Sequence, residues 1–201
     1  MARTRDQDAC PGALTVHRAA DGALVRIRLA GGMITAPQLA ALAEIATNFG
    51  SEALELTSRG NVQVRALTDT DAVAAALTAA GLLPSPSHER VRNIVASPQS
   101  GRGGGLADTR GLARDLDAAI LAEPTLAELP GRFWFSLDDG RGDVSGLAAD
   151  VGIHLLAPDE AAVLLAGTDI GVRVAVCDAA ETLVEIARRF RDTRGKAWRI
   201  T

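Results

Sequence analysis

The chain is short of cysteine, almost without lysine and free of long apolar runs, and each shortage removes a class of protein. Two cysteines, Cys10 and Cys177, do not make a disulfide framework. There is no CxxC pair, and His17, His88 and His154 are scattered, so no metal site is read from the sequence. A four-iron cluster takes four thiolates, so this chain alone supplies none. No apolar stretch approaches the roughly 20 residues of a membrane span. The N-terminal "MARTRDQDACPGAL" lacks the apolar centre of a secretory signal. The expectation is a cytoplasmic protein with no membrane partner.

Lys196 is the only lysine among 21 basic residues. A net charge of −4 argues against a general nucleic-acid binder. Arginine, however, offers a planar fork that suits carboxylates and phosphates. Where the arginines gather is therefore more informative than their number.

The 201 residues, 47% hydrophobic and 23% charged, are ample for a core in one large or two small domains. Residues 1–11 read as a flexible, solvated tail. "ALTVHRAADGALVRIRLAGG" then predicts a strand, an Asp21-Gly22 turn and a second strand, with Val25, Ile27 and Leu29 alternating against Leu24, Arg26 and Arg28. "TAPQLAALAEIATNFG" predicts a helix capped by Thr35, with Pro37 in its first turn, a stripe of Leu39, Leu42, Ile45 and Ala46, and a stop at Gly50. "EALELT" and "NVQVRAL" predict a hairpin about "SRGN", with Asn61, Gln63 and Arg65 on one face and Val62, Val64 and Ala66 on the other. A helix over Asp71 to Ala80 follows. The order strand, strand, helix, strand, strand, helix makes 12–83 a compact α+β unit.

The two prolines of "LPSPS" mark a linker at 84–89, and 90–201 read as a second domain. Its elements are strands at "RVRNIVASP", "RFWFSL", "GIHLLA", "AVLLAG" and "GVRVAV", and helices from about Thr109 to Leu121 and Ala179 to Arg191. "SGRGGG" has neither GK[ST] nor the Rossmann spacing, so it reads as a loop. "DDGRGD" is turn chemistry rather than a metal site. The histidines have no acid or nucleophile partner that would make a hydrolytic triad. Trp134 and Trp198 read as core or interface residues. The arginines stand out: Arg26 and Arg28 on one strand, Arg59 and Arg65 in the hairpin, Arg90, Arg92 and Arg102 beyond the linker. Either they decorate a solvated sheet face, or they form an anion site of bidentate forks.

"VRIRLAGGMIT", "ELTSRGNVQVR", "RVRNIVASPQSG" and "LPGRFWFSLDDGRGD" together resemble the siroheme-dependent sulfite and nitrite reductase superfamily, and within it the cobalamin-pathway branch, precorrin-3B synthase. The resemblance implies a ferredoxin-like half-domain followed by an α/β tetrapyrrole-binding domain. It implies that Arg28, Thr57, Arg59, Asn61, Gln63, Arg65 and Asn93 contact an acidic tetrapyrrole, and that Arg26, Arg92 and Arg132 act catalytically. Arg132 falls where the reductases place a lysine, and Trp134 replaces a second one, which disfavours six-electron reduction. The implied reaction is the oxygen-dependent hydroxylation of precorrin-3A with lactone formation. The family's 4Fe-4S cluster, and siroheme in its reductase branch, would be held mainly by a C-terminal half. That half would come from further chain, a partner chain or a second copy in a homodimer. A non-catalytic tetrapyrrole-binding module and half of a siroheme reductase are the alternatives.

Overall fold

The computed structural model describes Asp8 and residues 10–201. Residues 1–7 and Ala9 of the expected tail lie outside the described residues. Of the rest of that tail, Asp8, Cys10 and Pro11 are half-buried. The chain divides into two compact units, one of residues up to Arg28 with Ile34–Arg90, the other of Leu29–Met33 with Val91–Thr201. Among the described residues no helix is long and apolar enough to cross a membrane.

The first unit is built from β1 (His17–Ala19), β2 (Gly22–Ile27), α1 (Ala36–Phe49), β3 (Glu55–Leu56), β4 (Val62–Leu67) and α2 (Thr70–Ala79). Its sheet runs β1-β2-β4-β3, antiparallel throughout. Local chemistry sets the helix starts. Thr35 and Gln38 close a capping box on α1, and the Asp69 carboxylate accepts from the amides of Asp71 and Ala72 at the start of α2. Leu42, Ile45 and Ala46 of α1 and Val73 and Leu77 of α2 are buried, as are Val25 and Val64 of the sheet. Leu39, expected in the same stripe, is 47% exposed, so the buried face of α1 is a turn shorter than its periodicity implied.

Strand β4 departs from simple alternation. Val25 pairs with Val64 but Ala23 pairs with Leu67, so Arg65 and Ala66 together oppose Leu24. Ala66 takes the left-handed φ of 54° that this bulge needs, and Leu67 rather than Ala66 turns into the core. Gly22, at φ 121°, lies against it; a Cβ there would sit 3.1 Å from the Ala66 Cα. Asn61 precedes the strand and is buried at 1% exposure, instead of standing on the face with Gln63 and Arg65.

The second unit contains β5 (Ile94–Ala96), α3 (Arg110–Ala122), β6 (Phe135–Asp138), β7 (Val151–Leu155), β8 (Glu160–Leu165), β9 (Thr168–Ala175) and α4 (Ala179–Thr193). Its sheet is β5-β6-β7-β8-β9, parallel across the first three strands and antiparallel thereafter. Ile94, Leu116, Ile120, Leu137, Ile153 and Leu183 fill the core. Phe133 meets Phe135 edge-on at 5.3 Å and stacks on Phe190 at 5.0 Å. Ala30 and Met33 pack against the same core, which explains why a short segment from early in the chain belongs to this unit. Together the two sheets and their helices make a mixed α+β protein.

Candidate anion-binding face

Register decides which polar groups meet on the first sheet. Arg26 of β2 and Glu55 of β3 both pair with Gln63 of β4, so the three side chains form a row across the strands. Arg26 donates through Nε (2.8 Å) and through Nη2 to Gln63 Oε1, and Gln63 Nε2 donates to Glu55 Oε2 at 3.1 Å. Two residues further along β4, Arg65 donates through Nε and Nη2 to both oxygens of Asp21, at 2.8 and 2.9 Å. The bond to Arg65 holds the Asp21 carboxyl below its usual range, and Asp21 raises Arg65 in return. The Arg65 fork is therefore engaged. Arg26 differs, because its fork meets a neutral amide and its charge finds no ion pair among the described residues.

Arg28 lies one residue beyond the end of β2 and is 3% exposed. Its Nη2 donates to the Pro11 carbonyl at 3.1 Å and its Nε to the Arg90 carbonyl at 3.4 Å. Its Nη1 is buried with no hydrogen-bond partner. Burial pushes its pKa down to about 10, with the Arg26 and Arg59 charges adding to the effect and Cys10 and Glu89 opposing it. Burial also lowers Arg26. Three guanidiniums thus act on one another, and one of them keeps an unused donor in a desolvated place. Buried donors of that kind are costly unless something accepts from them.

The loop that carries Arg59 is built by Thr57. Its hydroxyl oxygen accepts from the amides of Arg59 (3.4 Å) and Asn61 (3.1 Å), while its own amide donates to the Asn61 carbonyl at 2.9 Å. Gly60, at φ 67°, closes the turn. Thr57 and Asn61 hold this loop, and Arg59 is half-buried on it.

The remaining candidates belong to the second unit. Arg92 is bidentate on Asp117, with both bonds at 2.7 Å. Asn93 Nδ2 donates to the carbonyls of Gly131 and Phe133, both at 3.1 Å, and so ties the approach to β6. The Arg132 guanidinium sits 5.1 Å from the centre of the Trp198 ring. Trp134 is 4% exposed, with Arg199 5.9 Å from its ring centre. Asp150, fully buried, accepts from Trp134 N and Ile200 N and pairs with Arg199; burial nevertheless leaves its pKa raised. "DDGRGD" is a turn: the Asp138 carboxylate collects the amides of Gly140, Gly142, Val144 and Ser145 at 2.9–3.0 Å. Sequence reasoning singled out neither Glu55 nor Cys10, and it read Asp21 only as turn chemistry. Their signal is strand register and loop path, which no local spacing carries.

Residues 17–80 match the family described as the nitrite/sulfite reductase ferredoxin-like half domain. Apart from Leu29–Met33, the matched stretch lies in the first unit. The longer of the matches to curated relatives extends the likeness past it. A ferredoxin–nitrite reductase of Synechococcus elongatus is 35% identical over 127 residues, 59% of this chain and 25% of that protein. A precorrin-3B synthase of a Sinorhizobium species is 42% identical over 60 residues, 30% of this chain and 13% of that protein. The chain thus spans a quarter or less of these two relatives. The solved NirA protein of Mycobacterium tuberculosis has the same fold, with a TM-score of 0.74 over 87% of this chain and 36% of NirA at 21% identity. In the half domain, the arginine face lies on β2, β4 and the loop before β4.

Proposed function

We propose that the arginine face of the half domain binds the rim carboxylates of an acidic tetrapyrrole, within an oxidoreductase of the precorrin-3B synthase type in cobalamin biosynthesis. The observation that carries the reading is Arg28, a buried guanidinium with an unused Nη1 donor beside the un-neutralised charge of Arg26. A carboxylate supplies both the acceptor and the charge that this place lacks. Arg59 and Gln63 border the same face. The chemistry attached to it is hydroxylation of the macrocycle with lactone formation. A four-iron cluster takes four thiolates, which Cys10 and Cys177 do not supply.

A second reading, half of a siroheme-dependent nitrite reductase, is favoured by the longer match to the Synechococcus enzyme, 127 residues against 60. Titration with siroheme and with an iron-free uroporphyrin-class tetrapyrrole separates the two by which binds more tightly.

The face itself is tested by variants. A charge-assisted hydrogen bond contributes about 1.5–3 kcal/mol, so Arg26→Ala or Arg59→Ala weakens tetrapyrrole binding roughly ten- to a hundredfold. Arg65→Ala costs less, because its fork is already held by Asp21. Arg194, half-buried, with its Nη1 donating to the nearby Ala197 carbonyl, is the control. Equal affinities for Arg59→Ala and Arg194→Ala, or no binding by the unaltered protein, reduce the face to a solvated surface.

A further inference from the structure

Residues 10–12 run beside the end of β2. The Gly12 carbonyl accepts from Arg26 N at 2.9 Å, the Pro11 carbonyl accepts from Arg28 Nη2 at 3.1 Å, and Cys10 N donates to Asp8 Oδ1 at 3.0 Å. This path leaves Cys10 half-buried, and its side chain acts electrostatically on both Arg26 and Arg28. Neither Cys10 nor Cys177 forms a disulfide. Arg28, 3% exposed, turns toward the same segment and keeps its Nη1 donor unsatisfied. Cys177 provides a comparison in the same molecule: it is exposed, with Sγ 3.6 Å from the Asp178 carboxylate.

We propose that Cys10 is a modification site that reacts, as the thiolate, with small disulfides carrying carboxylates, of the glutathione disulfide class. Neighbouring cations stabilise a thiolate over a thiol, and the thiolate is the nucleophile. The unused Arg28 donor and the charge of Arg26 select a reagent that brings an anion with it. In the step, the Cys10 thiolate attacks one sulfur of the reagent. The reagent's S–S bond breaks, a mixed disulfide forms on Cys10, and the second sulfur leaves as a thiolate that takes a proton from water. Cys10 is oxidised and the departing sulfur is reduced, so electrons balance without a further partner. The inference stands whether or not the face takes a tetrapyrrole.

Two single-thiol proteins test it, Cys177→Ser reporting on Cys10 and Cys10→Ser reporting on Cys177. An ordinary thiol, with a pKa near 8.5, is only a few per cent thiolate at pH 7, which leaves room for about a tenfold gain. Iodoacetamide at pH 7 should alkylate Cys10 about tenfold faster than Cys177, although Cys10 is the less exposed. Glutathione disulfide should modify Cys10 faster than dicationic cystamine does. Alkylation of Cys10 no faster than Cys177, or equal rates with the two disulfides, overturns the proposal. The disulfide comparison uses the native arginines, so it holds even where an Arg28 variant fails to fold.

Discussion

Arg28 combines a cost and a use in a single side chain. Its charge is buried, its pKa is pushed down to about 10, and one of its nitrogens is unpaired, yet at neutral pH it stays a cation. Buried charges without full partners destabilise, and an apolar side chain of similar length often replaces them at no loss. Arg28→Met is therefore expected to leave the melting temperature unchanged or higher while weakening tetrapyrrole binding about tenfold or more. Thermal melts paired with titration check this. A lowered melting temperature with unchanged affinity would mean that Arg28 serves as a strut for the Pro11 and Arg90 carbonyls. The contrast with Arg65 and Arg92 is instructive: both are arginines of the candidate set, but Asp21 and Asp117 already fill their forks.

At the scale of elements, the turn after β6 shows one carboxylate organising a whole loop. Burial alone would raise the Asp138 pKa, but the amides of Gly142, Ser145 and Val144 outweigh it, and the net shift is downward. A carboxyl depressed in the folded state stabilises above its unfolded pKa, and that contribution is lost as pH falls through the folded value. The second unit should therefore lose stability below the ordinary carboxylate range, near pH 4 and under. Asp138→Asn removes the charge and turns an amide N–H toward backbone donors; a loss of about 3 kcal/mol is expected from bonds of this charged kind. Urea unfolding at neutral pH and at about pH 3 checks both points, since the difference between variant and unaltered protein should shrink in acid. In the first unit the bulge at Arg65 and Ala66 has a comparable organising effect. It turns Leu67 inward and leaves Arg65 beside Asp21, an outcome that strict alternation along "NVQVRAL" does not reveal.

At the scale of the whole molecule, each unit has its own sheet and its own buried side chains, but the division of the chain is not a single cut. Leu29–Met33 belongs with Val91–Thr201. A fragment of residues 91–201 thus lacks Ala30 and Met33 from its core surface. It is expected to melt lower than the intact chain and to bind an apolar dye such as ANS, whereas the same fragment with a soluble 29–33 peptide added in excess should bind less dye. A fragment as stable as the intact chain would show that the segment adds nothing to that core.

The amino-acid sequence by itself determined the element order, the helix start at Thr35, the α+β class and the clustering of arginines around "VRIR" and "TSRGN". These rest on periodicity, capping and turn chemistry, which act over a few residues. Only the tertiary structure decided which arginines remain available. Asp21 reaches Arg65 across 44 positions of sequence and Asp117 reaches Arg92 across 25, through strand register and helix packing. Likewise, nothing local tells Cys10 that Arg26 and Arg28 will lie beside it. That arrangement follows from two long-range hydrogen bonds, Arg26 N to the Gly12 carbonyl and Arg28 to the Pro11 carbonyl.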